Sequence, residues 1–161
     1  MPTSPLQATP PGLRHLLTLE ATLASPLDAG EGALGRRVLN AVSSGRFLGE
    51  RLNGQVCPGT GDWMLTAGGM RFIDARLVLK CDDGALIHMS YGGRIWFDPG
   101  VMEQIADSRA RHEVDPRRYY FRTVPVFETG HHSYRWLNGI VSVGVGRLIQ
   151  GGVAYEIFEV S

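Results

Sequence analysis

The sequence predicts an all-β fold: a closed or nearly closed antiparallel β-barrel of about eight strands, with one or two short helices. Three observations carry this. Apolar residues alternate with a period of two in segment after segment. The segments are separated by short Gly- and Asp-rich breaks, which join antiparallel neighbours. Glycine is abundant, 21 of 161 residues, and glycine inside strands marks the bends that a curling sheet needs. No alternation of strand and helix occurs, so a doubly wound sheet is excluded.

Taken in order, residues 1–12 hold four prolines and few large apolar groups and read as a disordered leader, followed by a single domain over 13–161. In 13–24, Leu17, Leu19, Ala21 and Leu23 share one strand face. Leu34, Val38, Leu39 and Val42 recur at helical spacing before Gly45, so a short helix is expected over 34–44. Strands are then expected over 46–56, 62–67, 70–81 and 85–97, with the "CPGTG", "GG" and "DDG" breaks between them. A second short helix is expected within 98–110, followed by a loop. Strands over 117–129, 133–149 and 152–160 complete the barrel.

Composition narrows the function classes. Hydrophobic residues make up 43% and charged residues 20%, enough to bury a core. Net charge is zero, so no global field favours nucleic acid or an anionic membrane. No run approaches the eighteen or so apolar residues of a transmembrane helix, and 1–12 lacks the basic start and apolar run of a secretory signal. A cytoplasmic protein is the expectation. Cations are divided as fifteen Arg against Lys80; genome composition accounts for such a bias, and Arg also suits carboxylate recognition. Cys57 and Cys81 show no CxxC spacing.

Strand parity points to candidate chemistry, because side chains alternate across a strand. In 70–81, Asp74 and Arg76 share a face opposite Ile73, Ala75, Leu77 and Leu79. In 117–129, Tyr120, Arg122 and Glu128 share a face. In 133–149, Tyr134, Trp136 and Asn138 do. A face mixing charges with aromatic groups either meets solvent or lines a pocket. If it lines a pocket, Asp74 and Arg76 are a structural ion pair or an acid/base with an oxyanion-binding partner. His131 and His132, adjacent in "FETGHHSYRWLNG", point to opposite faces of a strand and lack metal-site spacing; they read as decoration of a hairpin turn. No dinucleotide, P-loop or GxSxG motif occurs, and no metal or other cofactor is expected.

The blocks "PGTGDW" (58–63), "DARLVLKCDDGALIHMSYGG" (74–93), "YYFRTVPVFETG" (119–130) and "YRWLNG" (134–139) resemble, in order, the signature blocks of uncharacterised protein family 0311, also catalogued as domain of unknown function 3237. The resemblance spans nearly the whole chain and implies a closed antiparallel barrel with no established activity. It singles out Asp62, Trp63, Asp74, Arg76, Tyr120, Arg122, Glu128, Tyr134, Trp136 and Asn138 among its shared residues.

Three functions follow as expectations. The first is a cofactor-independent enzyme (isomerase, cyclase or lyase) acting on a small carbonyl, phenolic or carboxylate compound. Asp74, Glu128, Asp62 and Tyr120 are its catalytic candidates, and Arg76, Arg122, Trp63, Tyr134, Trp136 and Asn138 its binding candidates. The second is a carrier barrel that binds a small ligand without chemistry. The third is a structural protein in which the polar set is an ion-pair network. A polar interior would leave Ile73, Leu77 and Leu79 outside, and covering them predicts a homodimer.

Overall fold

A computed structural model describes residues 9–161. The strands are β1 (Leu13–Leu23), β2 (Leu27–Gly32), β3 (Gly35–Leu48), β4 (Asn53–Val56), β5 (Gly61–Ala67), β6 (Met70–Cys81), β7 (Leu86–Phe97), β8 (Tyr119–Glu128), β9 (Ser142–Ile149) and β10 (Gly152–Val160). All neighbours pair antiparallel, and β1 closes the sheet by pairing β10 on one side and β3 on the other. Two positions of the barrel are each shared by two strands. β2 continues the edge of β3 where β1 leaves it, and β4 and β5 both lie between β3 and β6. The ten strands therefore form a closed barrel of eight staves, as the sequence predicts.

Three elements differ from the expectation. The helix over 34–44 is β3, one long strand. Helical spacing of its apolar residues did not decide the matter, because Val38, Leu39 and Val42 meet β2, β5 and β1 in ladders, and β-branched side chains favour that setting. The strand over 133–149 begins only at Ser142; His132–Gly139 forms 3₁₀ turns that pack Leu137 into one end of the barrel. The 46–56 segment likewise breaks between β3 and β4. The expected helix in 98–110 is a single turn, α1 (Met102–Ala106), preceded by a 3₁₀ turn at Pro99–Val101. The expected leader falls mostly outside the described residues, but Gly12 is tied by two backbone hydrogen bonds to Ser161.

Local sequence explains the joints. Gly68 and Gly69, both at positive φ, make the two-residue turn between β5 and β6, a conformation that suits glycine. In β1 the register slips between His15 and Leu17. This bulge turns both Leu16 and Leu17 inward, each at most 1% exposed.

The apolar parity faces the interior. Ile73, Ala75, Leu77 and Leu79 of β6 are buried, as are Tyr119, Phe121 and Phe127 of β8. The exterior carries Asp74, Arg76, Tyr120, Arg122 and Glu128. This reverses the polar-interior reading, for a physical reason: charged groups taken from water need buried partners, and aliphatic side chains fill a narrow barrel without them. Ile73, Leu77 and Leu79 lie inside and so present no outer apolar surface for a second copy to cover.

The interior is unevenly filled. At the end where β6 meets the 82–85 turn, Leu16, Leu17, Leu19, Phe47, Leu52, Leu79, Ile87, Met89, Leu137 and Ile157 pack into a dense core. The opposite end is covered by the excursion between β7 and β8, residues 98–118, which anchors through buried Val101, Ile105 and Val114. Gly146 of β9 lets the Phe121 ring lie against its backbone, since a Cβ there would sit 2.5 Å from the ring. Gly146→Ala should therefore destabilise the fold by about 1–3 kcal/mol, read as a lower urea midpoint at unchanged slope.

Candidate active site

Beneath the 98–118 excursion the barrel holds a cavity of about 390 Å³, within the size range of small-molecule sites. Leu77, Ile95 and Phe121 give it apolar walls, and Leu23, Val42 and Val153 continue them. Its polar groups come from separate elements: Asp62 from β5, Arg71 from β6, Tyr91 from β7, Tyr155 from β10, Asn40 from β3, and Ser108 and Arg111 from the excursion.

Asp62 is the acid of this cavity. Burial in apolar surroundings raises its carboxyl pKa from 3.8 to about 6; the Asp74 backbone N–H, which donates to Asp62 Oδ1 at 2.8 Å, opposes the rise, and the Asp74 charge adds to it. The carboxyl is thus held by one fixed donor and keeps capacity toward the cavity. Tyr91 and Tyr155 face each other across the barrel, 6% and 4% exposed. Their rings meet edge to face at 5.4 Å, and the Tyr91 hydroxyl donates to the Tyr155 hydroxyl at 3.3 Å. That separation is long for an O–H···O bond, which leaves room for a better acceptor. Burial, first of all, pushes both phenol pKa values up, and the nearby Asp62 charge adds to the rise. Both phenols are therefore neutral donors at physiological pH.

Of the ten residues picked from the sequence, only Asp62 lines the cavity. Trp63, its neighbour, points outward at 47% exposure, and its carbonyl accepts from Arg37 Nη1 at 2.8 Å. Asp74 and Arg76 form an ion pair at 2.8 Å on the outer surface. Tyr120 stacks on Trp96 outside the barrel, with the Arg122 guanidinium 5.0 Å from its ring. Glu128 is exposed opposite His88. Tyr134, Trp136 and Asn138 lie at the packed end, far along the staves from the cavity. The Tyr134 hydroxyl donates to Asp83 at 2.9 Å, and Arg51 covers the Trp136 ring at 3.7 Å. Asn138 clips Thr129, accepting from its N–H at 2.8 Å and donating to its carbonyl at 2.9 Å. The candidates do not assemble into one wall, because 132–139 is a 3₁₀ segment and not the second strand of a hairpin. His131 and His132 stack on one another at 4.6 Å in that segment.

The residues that parity reasoning passed over are Arg71, Tyr91, Tyr155 and Arg111. Three carried a signal. Arg71 is in phase with Ile73, Ala75 and Leu77, Tyr91 with Ile87 and Met89, and Tyr155 with Val153 and Ile157. A polar group on the apolar face of a strand has to be placed inside. Arg111 lies in an irregular segment and carried none.

A closed eight-stave antiparallel barrel with a cavity under one end places the chain in the class of small β-barrel proteins. Within it, the chain belongs to the family described as protein of unknown function DUF3237, whose profile matches residues 11–160. A UPF0311 protein of Rhodopseudomonas palustris is 30% identical over 91% of this chain and 95% of its own length. A UPF0311 protein of Bradyrhizobium diazoefficiens is 32% identical over 77% and 80%. Among solved structures, the conserved R. palustris protein of unknown function superposes with a TM-score of 0.85 at 28% identity, covering 96% of this chain and all of that one. A β-barrel-like protein of Acinetobacter baumannii gives 0.82 at 30% identity over 97% and 99%. A protein of Penicillium herquei described as an enzyme gives 0.71 at 18% identity over 96% and 98%, a likeness of fold alone.

The Asp62 pKa has a stability consequence. In the unfolded chain the carboxyl ionises near 3.8, in the fold near 6. Between these values the folded state binds more protons, so this group's contribution to stability falls as pH rises through that window and stays low above it. Asp62→Asn, which keeps an acceptor for the Asp74 N–H, should stabilise the protein at pH 7–8 by roughly 1–3 kcal/mol. Below about pH 4 the gain should vanish. Urea titrations at both pH values check it.

Proposed function

We propose that the chain is an acid–base enzyme that moves a proton on a small carbonyl or phenolic compound held inside the barrel, an isomerase, cyclase or lyase in reaction class. The observation that carries the reading is Asp62: a carboxyl with its pKa brought to about 6, in an apolar cavity, beside two neutral phenol donors. A general base works best when its pKa lies near the operating pH. Above pH 6 Asp62 is mostly ionised and takes a proton from carbon next to a carbonyl. The electron pair moves onto the carbonyl oxygen, and a Tyr91 or Tyr155 hydroxyl donates to that oxygen as its charge develops. The protonated carboxyl then returns the proton at a second position, giving an isomer, or an adjacent leaving group departs, giving the lyase outcome. Atoms and electrons balance without an external oxidant or reductant. The excursion over the cavity supports the same reading, since excluding water strengthens each of these interactions.

Deuterium wash-in tests this without knowledge of the natural substrate. Phenylpyruvate, acetylacetone and 2-acetylphenol are incubated with the protein in D2O and their exchangeable C–H signals followed by proton NMR. The wild type should accelerate exchange of at least one compound, with kcat/KM rising through about pH 6 as Asp62 ionises. Asp62→Asn should lose about 10²–10⁴-fold in rate, with affinity comparable. Tyr155→Phe should lose rate while keeping the pH midpoint. Binding without exchange in the wild type would make the barrel a carrier and reject the catalytic reading.

A further inference from the structure

Two arginines of the cavity wall have no part in this proton transfer. Arg71 projects from β6, and Arg111 comes from the Arg111–Glu113 turn of the excursion above it. Among the described residues neither meets a carboxylate; the ion pairs of the molecule engage other arginines. Arg111 Nε is fully buried and bonded to nothing. The Arg71 guanidinium rests 4.7 Å from the Phe97 ring; burial, and then the charge of Arg111, make it a weaker base than usual. Apart from the Phe97 contact, this arrangement costs the fold, since like charges repel and an unpaired buried donor is costly. A bound anion relieves both costs.

We propose that the ligand of this cavity is an organic carboxylate whose carboxylate group sits between Arg71 and Arg111, with its carbon skeleton against Ile95 and Phe121. Planar guanidinium forks match the two oxygens of a carboxylate. The cavity also contains Asp62, so a monoanion fits better than a phosphate dianion, whose second charge would face that carboxylate. The apolar walls ask for an aromatic or aliphatic skeleton rather than a sugar. Because Arg71 belongs to the barrel and Arg111 to the excursion, the same carboxylate bridges the two and draws the cover onto its ligand. The orientation toward Asp62 rests on the proton-transfer reading; the anion site does not.

Binding experiments separate the two. Benzoate and 3-phenylpropanoate are titrated calorimetrically against benzamide, 3-phenylpropanamide and phenylphosphonate. The carboxylates should bind at least tenfold more tightly than the amides and more tightly than the phosphonate at pH 8. Arg71→Gln and Arg111→Gln should each weaken carboxylate binding about 10- to 100-fold, the worth of a charge-assisted hydrogen bond. Asp62→Asn should leave it unchanged or stronger. Amide hydrogen exchange in 98–118 should slow when benzoate is bound. Equal affinity for amides and carboxylates would overturn the proposal, as would undiminished binding in both arginine variants, or no carboxylate binding at millimolar concentration. Tighter binding of phosphonate would also overturn it. Arg71→Gln lies on a barrel strand and relieves a repulsion, so it should melt no lower than wild type and carries the test even if Arg111→Gln loosens the cover. Failure here leaves deuterium wash-in on neutral ketones untouched, and failure there leaves the carboxylate preference standing.

Discussion

Closure of the sheet through β1 is the constraint on which the rest depends. β1 pairs β10 along nearly its whole length and β3 through its second half. A closed sheet has no free edges, and its two faces become an inside and an outside. Each strand must then commit one parity to a narrow space without water. At one end that space is filled by Leu, Ile, Met and Phe side chains that are almost wholly shielded from solvent. At the other, the same inward positions carry Asp62, Arg71, Tyr91 and Tyr155. These do not fill the space as the packed end's aliphatic groups do, and the cavity results. The packed half holds the staves in register while the open half is free to hold groups that weaken the fold.

Asp62 shows that exchange at a single residue. Its ionised form is disfavoured by the walls that would hold a ligand, so the fold is less stable at neutral pH than it would be with a neutral group there. The Asp74 N–H keeps the carboxyl in one orientation, and that bond ties it to the β5–β6 ladder. The Tyr91–Tyr155 pair is set by other ladders, those of β7 with β6 and β8 and of β10 with β1 and β9. Three polar groups are thus placed by backbone pairing, which is the pre-organisation that the proposed acid–base chemistry requires.

Much of the fold was legible in the sequence, because period-two alternation and short breaks report directly on antiparallel strands. The 34–44 segment misled because Leu34, Val38, Leu39 and Val42 recur at helical spacing, whereas Leu34 lies in the turn before β3 and the other three are paired with β1, β2 and β5, partners that local spacing does not report. The site was less legible. Rows such as Asp74–Arg76 and Tyr120–Arg122–Glu128 are conspicuous because the outer face of a strand tolerates charge. The cavity is lined instead where a polar group interrupts an apolar row, as Arg71 does before Ile73. Asp62 was reached through its resemblance to a family block. Arg111 was out of reach, since its irregular segment has no period from which to read a direction.

The excursion between β7 and β8 has a further consequence. Its base is pinned: Phe97 pairs with Tyr119, the Asp98 N–H donates to the Arg118 carbonyl at 2.9 Å, and the Asp98 and Arg118 side chains close the neck at 2.8 Å. Beyond that neck, changes of length and sequence that keep the buried anchors Val101, Ile105 and Val114 leave the pairing of β7 with β8 to its own ladder. The barrel is in this sense a fixed socket and 98–118 an exchangeable cassette. Swapping cassettes between relatives of this fold would keep Asp62, Arg71, Tyr91 and Tyr155 of the staves and exchange the groups, Ser108 and Arg111 here, that cover the cavity.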